Sequence, residues 1–166
     1  FKTVALMQAS TIVFPVGKKI MWQGYYSVSD GGSNWGIVTS GGHTDDGGSV
    51  FTLADGQYVE ANLKGKTLNF RKFGLKGNGV NSDSTQCQIA VNYGVTNKKS
   101  LYASNGIYPV KDITATLSRA SVTDYTNLVI KGEDNANTIF IAEAGASFMF
   151  NITAGIVPLV INFAFD

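Results

Sequence analysis

Apolar residues along this chain gather in short clusters, and their spacing changes from one region to the next. At the start, Val4, Leu6 and Met7 stand among polar neighbours and predict a short amphipathic helix over Phe1 to Ala9. Short apolar runs then predict strands at Val13 to Trp22, bent at Val16-Gly17, at Trp35 to Val38 and at Ser49 to Leu53. Gln57 to Asn62 alternates weakly. A strand at Thr67 to Phe73 leads to a helix over residues 83–94, with Ile89, Ala90 and Tyr93 on one face. Further strands are predicted at Leu101 to Tyr102, Gly106 to Val110, Ala115 to Leu117, Leu128 to Ile130, Thr138 to Ile141, Ser147 to Ile152 and Leu159 to Phe165. In the last third the apolar clusters Leu128-Val129-Ile130, Ile139-Phe140-Ile141, Phe148-Met149-Phe150 and Leu159-Val160-Ile161 recur. Gly132, Asn135, Gly145 and Gly155 punctuate the gaps. Stacked coils of a solenoid need this pattern, because each coil buries its apolar side chains only against its neighbours. An antiparallel sandwich produces the same spacing, and the pattern leaves both open.

The segment Phe70 to Gln86 is the most informative stretch. A hydrophobic strand runs into Gly74, Gly77 and Gly79, which accept positive φ at little steric cost and allow tight turning. Ser82 or Asp83 is placed to cap the new helix, and Gln86 stands three residues after Asp83, where a capping box would have it.

This strand, glycine turn and capped helix resemble the Phe-Gly-Ala-Lys-Gly-Asp-Gly-x-x-Asp-Asp-Thr opening of the pectate-lyase-like superfamily, notably in bacteriophage tailspikes and capsule depolymerases. Upstream, Gly24-Tyr25-Tyr26-Ser27-Val28-Ser29-Asp30-Gly31-Gly32 is similar to a Gly-Tyr-Tyr-x-x-x-Asp-Gly-Gly segment of phage tailspikes. Thr44 to Ser49 and Leu53 to Gly56 are similar to the segments that come next in those tailspikes. Downstream, Leu101 to Val110 resembles the family's x-Pro-x-Gly-x-Tyr-x-Val strand, and Asn127 to Glu133 resembles the strand and turn of a first full coil. The chain departs from the pattern at Asn78, where the family has Asp, at Asn81 and Ser82, and at Ala103, where it has Pro. Asn78 brings no charge, which argues against a metal-binding loop.

The resemblance implies a mainly β protein: a small N-terminal α+β cap over residues 1–66, then a right-handed single-stranded parallel β-helix beginning at 67–166. It further implies a homotrimer on the virion tail, bound to phage tail or baseplate proteins and folded in the bacterial host cytoplasm. Such a protein recognises bacterial surface polysaccharide and depolymerises it by hydrolysis or elimination. The apolar alternation runs to Phe165, and a solenoid end needs a polar cap. The expectation is therefore that these residues belong to a longer polypeptide.

Composition agrees with a β-rich domain. The chain has 166 residues, 15% of them charged, and 19 glycines. A net charge of +1 gives no footprint for nucleic acid or an anionic membrane. Lys18-Lys19 and Lys98-Lys99 read as solvated pairs. Ile156 to Phe165, interrupted by Pro158 and Asn162, is too short for a membrane span. No signal peptide is visible. Cys87 stands alone, and a buried small apolar role fits it better than reactivity.

Candidate chemistry is sparse, and no catalytic residue, cofactor site or metal site is assigned. His43 is the only histidine, in the loop Gly41 to Thr44, and reads as a solvated side chain. Without partner ligands it offers no zinc site, and no Gly-x-Ser-x-Gly elbow accompanies it. Glycosidases need two carboxylates, and the candidates are Asp45 with Asp46, Glu133 with Asp134, and Asp30 with Asp55. Acids in glycine-rich loops read first as turn and cap residues. Trp22, Tyr25, Tyr26 and Trp35 could stack on sugar rings, though packing of a small core is the plainer role. Two rival readings remain: a complete small polysaccharide lyase or hydrolase acting through Asp45 or Glu133, and a non-enzymatic receptor-binding or connector protein.

Overall fold

The computed structural model describes residues 1–117, 129–134, 136–154, 160–162 and 164–165. Two compact units emerge: Phe1–Lys64 with Arg71–Gly74, and Gly65–Phe70 with Leu75–Asp166.

The first unit is a short helix with an antiparallel sheet. Helix α1 is Val4–Gln8, capped by Thr3, whose hydroxyl accepts from the Leu6 amide at 3.2 Å. The strands are β1 Lys19–Trp22, β2 Asn34–Thr39, β3 Val50–Thr52 and β4 Tyr58–Ala61, in the order β1-β2-β4-β3. Alternation places Ile20 and Trp22 of β1, Val38 of β2, Phe51 of β3 and Val59 of β4 inward, and they join Val4 and Met7 of α1 in one core. Two expectations need correction. Leu6 is exposed, so α1 buries only Val4 and Met7. The predicted strand from Val13 shrinks to Lys19–Trp22, with Val13 and Val16 exposed. The Lys18 amide turns back to the Pro15 carbonyl at 3.0 Å, and Pro15 has no amide of its own for a ladder.

The second unit is a stack of parallel coils. β5 Thr67–Asn69, β6 Ser100–Ala103, β9 Val129–Gly132 and β12 Val160–Asn162 form one sheet. β7 Gly106–Val110, β10 Thr138–Ala142 and β13 Ala164–Phe165 form a second, and β8 Ile113–Leu117 with β11 Phe150–Ala154 a third. Every ladder between these strands is parallel, which excludes the antiparallel sandwich for this unit. Register stacks like upon like. Leu68, Leu101 and Ile130 align inside the first sheet, all buried. Tyr108 aligns with Phe140 inside the second, their rings stacked at 5.0 Å. Strand β11 starts at Phe150, later than predicted. Of the predicted elements, Leu128, Leu159, Phe163 and the turn residues Asn135 and Gly155 lie outside the described residues.

The opening coil differs from those after it and departs furthest from the sequence expectation. The predicted strand Thr67 to Phe73 ends at Asn69, and Phe70–Phe73 is a 3-10 turn. Phe70 and Phe73 are both fully buried, and three-residue spacing suits one side of such a turn better than strand alternation. Gly74, Gly77 and Gly79 all take positive φ, as expected. Asn78 then forms a single parallel bridge to Ile107. Helix α2, Ser84–Thr96, comes next and stands where later coils carry a third strand. Its buried face is Cys87, Ala90, Val91 and Gly94; of the predicted Ile89, Ala90 and Tyr93, only Ala90 belongs to it. Asp83 occupies the N-cap position but makes no side-chain bond to the helix, so the predicted capping box does not form. Its carboxylate turns back into the glycine turn, accepting from the Lys76 amide at 2.6 Å and the Gly77 amide at 2.8 Å.

Candidate functional site

In the first unit, the sheet and the segment Arg71–Gly74 frame an open cleft of about 320 Å³ beside Trp35. Strand β2 buries Asn34 and leaves Trp35 half-buried, in register with the exposed Met21 of β1. Trp22, Asn62 and Lys72 complete the wall. The Lys19 ammonium lies 4.1 Å from the Trp35 ring centroid, a cation–π contact that fixes the indole. Asn34 donates its side-chain amide to the Asn62 carbonyl at 3.2 Å, while the Asn62 side-chain oxygen is buried without a partner among the described residues. An indole wall edged by amides and the ammonium groups of Lys19 and Lys72 has the chemistry to stack on a sugar ring and bond its hydroxyls.

The other three aromatics singled out by sequence are structural. Trp22 is buried, donates its indole N–H to the Gly32 carbonyl at 3.1 Å and meets Phe51 edge-on. Tyr25 donates its hydroxyl to the Gly47 carbonyl at 2.5 Å. Burial, then the nearby Tyr26, Asp45 and Asp46, push its pKa far up. Tyr26 packs on the Tyr25 ring with an exposed edge.

The candidate acids organise turns. Asp30 accepts from the amides of Tyr25, Tyr26, Ser27 and Gly32 at 2.7 to 3.0 Å. Burial alone would raise its pKa, but these four amides outweigh that and hold it below the usual carboxylate value. The same turn explains Gly24, where a Cβ would collide with the Ser27 carbonyl. Asp45 accepts from the Gly47 and Thr52 amides and from the Gln8 side chain, fastening α1 to β3. Asp46 takes the Gly48, Ser49 and Val50 amides, and Asp55 the Gln57 amide. In the second unit Asp134 accepts from Ala136 and Asn137. The Asn137 side chain and these amides lower its pKa.

Glu133 differs, because it stands among outward-facing groups of the first parallel sheet. Its carboxylate accepts from the Asn105 amide at 2.9 Å and is bonded to Tyr102, whose pKa is raised by burial and by that carboxylate. Lys131 lies in register beside Tyr102. His43 contacts Glu60 at 3.2 Å and leans on Tyr58, in the first unit. Cys87 is fully buried, and burial followed by the nearby Asp83 pushes its thiol pKa far up, which keeps it protonated and unreactive.

Sequence reasoning missed one cluster. Ser82 and Ser84 both donate to the same Glu143 oxygen at 2.6 Å, and Ser84 accepts from the Lys111 amide at 2.9 Å. Nothing in the local spacing links positions so far apart; the coil stacking alone brings them together. Among the described residues no group of three or more His, Cys, Asp or Glu is placed to hold a metal ion. No described helix is long and apolar enough to cross a membrane.

No protein-family model and no curated protein sequence matches the chain. Solved structures do match its fold. The enzymatically active domain of tailspike protein 2 from bacteriophage CBA120 aligns with a TM-score of 0.69 at 19% identity, over 96% of this chain and 22% of that one. WceF of Pantoea stewartii, a glycan biofilm modifying enzyme with a tailspike-like parallel β-helix fold, aligns at 0.69 and 14%, over 96% of this chain and 24% of its own. Tailspike protein gp49 of Acinetobacter baumannii bacteriophage Fri1, a capsular polysaccharide depolymerase, aligns at 0.65 and 14%, over 99% and 36%. The fold is therefore that of the tailspike parallel β-helix proteins, and the chain spans about a fifth to a third of the length of these structures.

Proposed function

We propose that this chain is the cap and opening coils of a bacteriophage tailspike or tail fibre. In this reading it docks to tail or baseplate proteins of the virion, after folding in the bacterial host cytoplasm. It supports recognition of bacterial surface polysaccharide and its depolymerisation by hydrolysis or elimination. The observation that carries the reading is the parallel stack of coils preceded by an antiparallel cap, an arrangement aligned with tailspike structures over nearly the whole chain. Cleavage itself belongs to the whole protein. The acids available here, Asp30, Asp45, Asp46, Asp55 and Asp134, accept hydrogen bonds from turn amides. That engagement favours a scaffold role for these residues over a complete small enzyme.

The test applies the purified full-length polypeptide to encapsulated bacteria. Capsule loss should accompany new reducing ends for hydrolysis, or unsaturated sugars for elimination. Asp45→Asn and Glu133→Gln should retain that activity. Adhesion without capsule loss would support a non-enzymatic receptor-binding or connector protein instead. Neither adhesion nor capsule loss across a panel of capsule types would overturn the reading, and abolition by either substitution would move the active site into these residues.

A further inference from the structure

Trp35 is a large aromatic side chain that the core of the first unit does not use. That core takes in Trp22 and Phe51, with Phe1, Phe14 and Tyr25 packed against it. Alternation along β2 sends Val38 into the core and Trp35 to the other face, where the exposed Met21 stands in register beside it. The Lys19 ammonium holds the indole through the cation–π contact, yet Lys19 takes no part in the cleft wall, so the cleft meets the indole away from that ammonium. Lys72 reaches the cleft on the segment Arg71–Gly74. A Cβ at Gly32 would lie 2.8 Å from the Arg71 carbonyl, so glycine there permits the approach that brings Lys72 to Asn34 and Trp35. Among the described residues no acidic side chain lines the cleft, and Lys72 makes no ion pair. The cleft therefore joins a stacking surface to an uncompensated positive charge.

We propose that this cleft is a saccharide subsite on the cap, selective for a sugar ring that carries a carboxylate. The inference rests on the proposed function, in which the whole protein recognises bacterial surface polysaccharide, and it names a place and a sugar class for that recognition. The ring packs its C–H face on the indole beside Met21, and its carboxylate pairs with the Lys72 ammonium. Its hydroxyls bond to Ser33 and to the side-chain amides of the wall. The volume of about 320 Å³ lies at the lower end of the about 300–1,000 Å³ typical of ligand sites, which suits a single ring. Lys19 already fixes the indole, and the bond to the Asn62 carbonyl already fixes Asn34, so binding has little side-chain freedom left to remove.

The test uses the full-length polypeptide with glucuronate and galacturonate as probes. Glucose and galactose are their uncharged counterparts, and acetate is a carboxylate without a ring. The readout is the indole N–H NMR signal of Trp35, assigned as the one absent from Trp35→Phe. At least one uronate should shift it saturably, with a dissociation constant on the order of 1–10 mM for so small a ligand in an open cleft. Acetate should leave the signal in place. The matching neutral sugar should bind roughly tenfold more weakly, through loss of one charge-assisted bond. Lys72→Gln keeps a polar side chain without the charge and should bring the uronate down to the affinity of the neutral sugar, while Lys72→Arg should keep the preference. No shift with either uronate, an equal response to the neutral sugars or to acetate, or a uronate preference that survives Lys72→Gln would each overturn the proposal. Capsule loss without a uronate shift would remove this subsite alone. A uronate shift without adhesion or capsule loss would keep the subsite and remove the proposed function.

Discussion

Asp30 shows how much structure one side chain can hold. Its two oxygens receive four backbone amides from Tyr25 to Gly32, which lock the Gly-Tyr-Tyr segment into a turn. Removing it in Asp30→Ala leaves those donors without their acceptor and should cost about 1–3 kcal/mol of stability, read from denaturant midpoints. The folded carboxyl titrates below its unfolded value. The unfolded chain therefore binds the proton first on acidification. The contribution of Asp30 is complete above the ordinary aspartate range and fades as the pH falls through the lowered folded value. Asp30→Asn should flatten that acid limb of the stability profile, and an identical profile would show that the charge does not act as described. Glycine and acid at these positions were legible in the sequence as turn chemistry. Which amides the acid collects was not, because a turn signal does not say how the chain closes.

Helix α2 is the element where local and tertiary demands diverge. Ser82, Asp83 and Gln86 carry the local signature of a helix cap, yet Asp83 is buried and serves the Lys76 and Gly77 amides instead. Buried backbone donors cost more to leave unpaired than a helix end that other groups can reach, so the glycine turn takes the carboxylate. The two roles predict different substitutions. Ser, Asp and Asn cap helices about equally well. A carboxylate bridging two amides needs both oxygens. Asp83→Ser should therefore lose about 2 kcal/mol, close to Asp83→Ala, with Asp83→Asn intermediate. Full stability in Asp83→Ser, measured by thermal unfolding, would restore the capping role. The same competition moved the buried face of α2 to Cys87, Ala90, Val91 and Gly94. Small residues there admit close approach to the coils, and an apolar count along the helix favours Ile89 and Tyr93 instead.

At the scale of the whole molecule, the three parallel sheets of the second unit present different outer faces. The first carries Tyr102 and Lys131, and the third carries Thr114, Thr116 and Asn151. The second carries Ile107 aligned with Ile139, and Ile107 is 41% exposed. The homotrimer implied by the family resemblance predicts a mass close to three times that of one chain for the full-length protein, by light scattering coupled to size exclusion. A monomeric mass at micromolar concentration would overturn that expectation.

The sequence by itself determined the order of short strands, the glycine turn at Gly74 to Gly79, the helix after it and the recurrence of apolar clusters. All of these are local consequences of backbone freedom and of the need to bury apolar side chains. Its family resemblance chose parallel coils where periodicity alone could not, since a strand's alternation is the same in parallel and antiparallel sheets. Tertiary structure decided the rest. It stacked Leu68, Leu101 and Ile130, brought Ser82 and Ser84 to Glu143, and set Gln88 against Thr114. It also turned Asp83 away from its helix. Each of these joins positions far apart along the chain or settles a competition for one side chain, and only the register of the coils fixes which partners come within reach.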